Sequence, residues 1–241
     1  MIRDLIRDVL NSDTVSRINF GVPDWYFPEP GAARTTHASR RHEHGTVFRV
    51  YPHGYRTLAR AFGNGPSSAR STSSINIGLS DYRPAAPTEP NPVRLNPGMM
   101  MYMPHLNTLF MHTSFGDSNL TELSFEQRAL IVHECTHALN DYNMISGAHR
   151  YIDETMAYVA QYLYRFHESG GNPPYFPHNP NAQYHSIANA IAMRFSVERG
   201  YPLVEYQDLL DMKNALLSSV SPDGTHDYAD VNNPMSYDGF P

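Results

Sequence analysis

A single cysteine, Cys135, stands among 241 residues, so no internal disulfide can form and folding does not require an oxidising compartment. Charge is scarce too, at 17% of residues, and it leans acidic: 18 Lys+Arg against 24 Asp+Glu leave a net charge of −6. That balance provides no basic face, and no nucleic-acid partner is expected. Lysine occurs once, as Lys213, with arginine carrying every other basic position; this skew has no chemical consequence that we can identify. No apolar run approaches the length of a membrane span, so no membrane partner is expected either. The opening "MIRDLIRDVLNSDT" is not a secretory signal, because Arg3, Asp4, Arg7 and Asp8 interrupt the apolar stretch. Its Ile2, Leu5, Ile6, Val9 and Leu10 follow helical spacing instead. The expected location is the cytoplasm, or outside the cell by a route without an N-terminal signal.

Hydrophobic residues make up 41% of the chain and aromatics 12%, which is ample for one packed domain. The first half has the character of short strands and long loops. Strands are expected over 15–20 (VSRINF), 46–51 (TVFRVY) and 74–79 (SINIGL), and a helix over 55–62. Residues 63–98 are rich in Ser, Pro, Ala and Asn, which favours loop. "MMMYMP" and "TLFMHT", joined by the turn-like "HLN", predict a hairpin. The second half is mainly helical. Ser124 with Gln127 three residues later forms a capping box that opens a helix through about Asn143. Further helices are expected over about 151–168, ending at Gly170-Gly171, over about 182–199 and over about 205–217. The expectation is an α+β fold, with lobes at about 1–146 and 147–241 and a cleft between them.

The chemistry lies within the capped helix, in "LIVHECTHALNDY". Residues four apart share a helix face, so His133 and His137 can close on one ion. Glu134 lies about 100° round the helix, poorly placed as a ligand but within reach of water at the metal. With 13 His in this composition, chance supplies about 0.03 such H-E-x-x-H patterns. The competing reading is an ordinary helix with two core histidines; the capping box and the apolar flanks "ALIV" and "AL" favour the metal. Two histidines need a third protein ligand to leave one position open for water. Glu154, 17 residues after His137, flanks the apolar stripe Ile152, Met156, Val159 and Leu163, with small Ala157 nearby to let two helices approach. Asp153, His149 and Asp141 are rival ligands. Cys135 points away from the ion and suits a small buried position.

"HECTH" followed by "DETMAYVA" resembles the gluzincin metallopeptidases, most firmly from Phe125 to Leu163. The resemblance implies a zincin-like fold with a small N-terminal sheet, one catalytic Zn2+ held by His133, His137 and Glu154, and Glu134 as general base acting on a protein or peptide substrate. It also implies an edge strand lining the substrate, the place occupied by "TLFMHT". In the thermolysin-like branch an aspartate four residues after the ligand glutamate supports a zinc histidine. Tyr158 stands there in this chain, so that support must be built differently. The metzincin pattern is absent, since Asn140 and Asn143 replace its glycine and histidine, and "NPMSYDG" near the end is a coincidental likeness to its methionine turn. An oxyanion donor is still required, with Tyr158, His149, His226, Tyr228 and Tyr237 as candidates. The cluster "RRHEHG", with His42 and His44, has the character of a solvated loop. The alternatives to a peptidase are a zinc hydrolase of another amide and a zinc-stabilised binding protein that does not turn over; an effector or toxin is one biological role compatible with the sequence.

Overall fold

Ser124 begins its helix as the spacing predicts. Its hydroxyl accepts from the backbone N–H of Gln127 at 3.2 Å, and the Gln127 side chain accepts from the backbone N–H of Ser124 at 2.8 Å. These two bonds satisfy donors that the first helical turn leaves without partners. The computed structural model describes residues 2–23, 47–62, 74–85, 91–116, 120–143, 149–172, 183–198, 201–219, 228 and 232. Within them the capped helix α3 (Phe125–Tyr142) packs along α4 (Arg150–Glu168), α5 (Gln183–Val197) packs on α4, and α6 (Tyr206–Leu217) packs on both α4 and α5. The predicted stripe of α4, Ile152, Met156, Val159 and Leu163, is fully buried. Burial runs round the whole helix from Tyr151 to Arg165, which makes α4 a core helix enclosed by its neighbours.

The first half supplies three small sheets and two helices. α1 (Ile2–Leu10) buries Ile6, Val9 and Leu10 against α2 (Pro52–Ala61) and α3. β1 (Phe20–Pro23) pairs antiparallel with β2 (Val47–Val50). The strand expected over 15–20 is misplaced: Val15–Arg17 forms a 3-10 turn, and only Phe20 of that stretch belongs to β1, which runs on to Pro23. Ser12 causes the difference, because its hydroxyl accepts from Val15 N–H and its carbonyl from Ser16 N–H, which winds the chain before it can extend. The opposite side of β1 is also engaged. Gly21 N–H donates to Pro202 O at 3.0 Å and Val204 N–H donates to Gly21 O at 2.9 Å, so the N-terminal strand is stitched to the segment that leads into α6.

β3 (Asn76–Leu79), β6 (Met100–Met103) and β7 (Thr108–Met111) form a mixed sheet in the order β3-β7-β6. Two-residue strands, β4 (Tyr82–Arg83) and β5 (Val93–Arg94), form a separate ribbon inside the Ser/Pro-rich stretch. The hairpin β6–β7 is present, turned by Pro104–Leu106 and by Asn107 at a φ of 44°. The edge-strand assignment must be corrected. β7, within "TLFMHT", is the central strand, parallel to β3 on one side and antiparallel to β6 on the other. β3 fits beside it because Gly78 has no side chain: the Phe110 ring takes the space where a Cβ would stand 2.8 Å away. β3 and β6 are the outer strands of this sheet, and β6 is the one on the side of α3. The "RRHEHG" and "NPMSYDG" stretches, His226 and Tyr237 lie outside the described residues. Among those described, no helix is long and apolar enough to cross a membrane.

Removing the cap that starts α3 should register in stability alone. Ser124→Ala is expected to cost about 1 kcal/mol. Urea unfolding should show a lower midpoint with an unchanged slope, whereas an unchanged midpoint would mean that the cap contributes nothing.

Candidate metal centre

His133 and His137 project from one face of α3 toward α4, with their Nε2 atoms 3.2 Å apart. Glu154 on α4 brings Oε2 to 3.7 Å from His133 Nε2 and 3.8 Å from His137 Nε2. Two donors each about 2.0–2.1 Å from one tetrahedral ion are about 3.3–3.4 Å apart, so this triangle has the size that a shared ion requires. Among the described residues, these three side chains are the group able to hold a metal ion. Ala157, fully buried and nearly one turn beyond Glu154, has the small size that close packing of the two helices needs.

Of the rival ligands, Asp153 supports the site from behind. Its Oδ2 lies 2.5 Å from Nδ1 of His137, the ring nitrogen facing away from the triangle, and its Oδ1 accepts from Asn140 Nδ2 at 2.6 Å. Asp153 is adjacent to Glu154 but turned about 100° round the helix, which aims the two carboxylates at different atoms of one imidazole. This aspartate stands one residue before Glu154, not four after it. Tyr158 at that later position lies against the His133 ring edge instead, with centroids 4.5 Å apart. Its hydroxyl is bonded to that of Tyr228 at 2.7 Å. Arg150 Nε stands 3.4 Å from Glu154 Oε1, and its guanidinium lies over the Tyr228 ring. Glu154 thus turns one oxygen to the histidines and the other to a cation.

Glu134 lies outside the ligand group. Its Oε2 accepts from the backbone N–H of Tyr102 in the edge strand β6 at 2.7 Å. The other rivals are committed elsewhere. Asp141 is fully buried and accepts from the Tyr102 hydroxyl at 2.6 Å, and His149 Nδ1 lies 2.5 Å from Asn232 O. Cys135 is buried, as its size suggests. Sequence reasoning missed Tyr102, Asn140 and Arg150. Asn140 carried a faint signal at three residues after His137, and Arg150 one at four residues before Glu154; the backbone contact of Tyr102 leaves no mark on residue type.

Burial sets the charges. It holds the His133 imidazole well below its ordinary pKa, reinforced by the charge on His137. It also opposes charge on His137, but the Asp153 carboxylate overrides it and holds this imidazole above its ordinary value. Burial pushes Glu134 up to about 7, against the pull of His137 and the Tyr102 N–H. Glu154 is raised by burial in the same way, opposed by His137 and Arg150.

Comparisons with known protein families, with curated proteins and with solved structures find no match to this chain. The reading of the site therefore rests on its own geometry.

A histidine binds metal only when its ligating nitrogen is free of a proton. The Asp153 carboxylate favours the charged form of His137, so an ion bound there should displace a proton. Metal titration by calorimetry at pH 7, in buffers of differing ionisation heat, should reveal proton release, and apparent affinity should rise with pH. Affinity that is flat between pH 6 and 8 would mean that His137 already stands neutral beside Asp153.

Proposed function

We propose that the chain is a zinc-dependent metallopeptidase, a zincin-like domain spanning residues 1–241 with its active-site cleft between the mixed α/β part and the mainly helical part. The observation that carries this reading is the convergence of His133, His137 and Glu154, with a second acid, Glu134, kept out of the ligand set. A purely structural zinc site is closed by four protein ligands and has no use for such an acid. Ligand chemistry favours zinc, since two imidazoles and one carboxylate form a mixed nitrogen/oxygen set that leaves one position open.

The ion, when bound, supplies Lewis acidity that polarises a carbonyl and makes water more acidic. Glu134 is the general base: it takes a proton from the attacking water and delivers it to the leaving nitrogen. Its pKa of about 7 in the metal-free protein is drawn down by a nearby cation, which keeps it ionised and ready to accept. The Tyr102 N–H engages one carboxylate oxygen and fixes the side chain's direction. An extended peptide is placed along β6, the edge strand beside α3, through main-chain bonds. Of the candidate oxyanion donors, Tyr158 and Tyr228 stand beside the ligand group, whereas His149 is turned toward Asn232. Burial pushes both phenols well above their ordinary value, so both remain protonated donors at neutral pH.

Three measurements on the same preparations test the reading. Elemental analysis should find one zinc per chain, greatly reduced in His133→Ala and Glu154→Ala but retained in His149→Ala. An unbiased peptide library should be cleaved by the parent protein. Glu134→Gln should keep zinc and thermal stability yet lose about 10²–10⁴-fold in cleavage rate. Loss of zinc in Glu134→Gln would make it a ligand. A zinc-loaded parent that cleaves no peptide would move the assignment to another amide or to a zinc-stabilised binding protein.

A further inference from the structure

We infer that Gln161 is a positioning residue for the metal centre: its amide oxygen accepts the Nδ1 proton of His133 and so turns Nε2 of that ring toward His137 and Glu154. The inference rests on the metal-centre reading above and assigns a residue that this reading leaves without a role.

An imidazole that ligates through Nε2 carries its proton on Nδ1, and that proton needs an acceptor. For His137 the acceptor is Asp153. For His133 no hydrogen bond of good geometry is closed at Nδ1, although the atom is buried. Oε1 of Gln161 is buried in the same condition. A buried polar atom without a partner is unfavourable, so a donor and an acceptor left open on facing helices call for a common explanation.

Helix register places the two atoms in one neighbourhood. α3 and α4 run antiparallel, with His137 against Asp153, His133 against Tyr158 and Glu126 against Arg165. Gln161 lies on α4 between Tyr158 and Arg165, three residues past Tyr158 and seven past Glu154, and therefore on the stripe facing α3 within one turn of His133. Consistent with this register, the Gln161 side chain favours the protonated form of the His133 imidazole, as an acceptor near the ring does. The resulting support is unequal, with a carboxylate behind His137 and a neutral amide behind His133. A glutamine can accept here without adding a second buried negative charge beside Asp153 and Glu154.

The test uses the full chain and Zn2+, with affinity measured by competition against a chelator. Gln161→Met keeps the volume and removes the amide, and should weaken zinc binding about 10–100-fold while the metal-free melting temperature stays equal or rises. Gln161→Glu retains an acceptor and should bind at least as tightly as the parent. In 15N-imidazole spectra of the zinc-loaded parent, the His133 Nδ1–H should be protected from exchange and lie close to the Gln161 side chain. Gln161→Met that binds zinc like the parent overturns the inference. Should that variant fail to fold, the spectrum of the parent decides, and a freely exchanging Nδ1–H overturns it. A parent that binds no zinc, and that His133→Ala leaves unchanged, overturns the metal centre itself, a failure distinct from that of Gln161.

Discussion

A carboxylate that is 2% exposed needs a charge or a donor at each oxygen, and Asp153 has both. His137 meets one oxygen and Asn140 the other, and both belong to α3. One side chain of α4 is therefore clamped by two residues of α3 on successive turns. Removing one partner from a buried pair costs about 3–5 kcal/mol, because the charge left behind has no water to solvate it. The clamp sets the rotation of α4 about its axis, and with it the aim of Glu154, the next residue. If α4 turned by a single residue position, about 100°, the ligand carboxylate would leave the triangle altogether.

The same two helices account for how much of the site could be read in advance. His133, His137 and Glu134 lie within one turn of a helix whose start was marked by Ser124 and Gln127, so their relative placement follows from local geometry alone. Glu154 required a judgement about packing. The face of α4 that meets α3 carries Asp153, Glu154, Tyr158 and Arg165, whereas the apolar stripe that drew attention to this helix lies on its far side, so the stripe did not by itself aim Glu154. Which of Asp153 and Glu154 faces the two Nε2 atoms was harder to read, since adjacent acids differ only in angle. Tyr102 could not be read at all. It enters through a backbone N–H, and its place depends on how the sheet stacks on the helix.

The sheet was less legible than the helices for a related reason. The hairpin β6–β7 is a local feature, visible in two short runs and a turn. Which of its strands lies at the edge depends on β3, about thirty residues earlier, across a Ser- and Pro-rich stretch. β3 joins β7 through a parallel pairing that has no signature in a hairpin pattern, and Gly78, which makes room for Phe110, reads in isolation as a strand breaker. Helices α3 to α6 suffer no such ambiguity, because their boundaries and faces are set within each segment.

The stitch between β1 and the segment before α6 has a consequence for the order in which the chain can assemble. Gly21 bonds to Pro202 and Val204, about 180 residues away, and Tyr201 donates its hydroxyl to Phe20 O. Contacts of such separation pay their loop-closure entropy last, whereas the α3–α4 pairing closes over a short connection. The helix pair that carries the candidate metal ligands can therefore form while one side of β1 still lacks its partner. Emerging from the ribosome, β1 must wait for about 180 further residues before this side of it is paired, its bare amides exposed meanwhile to any other strand that passes.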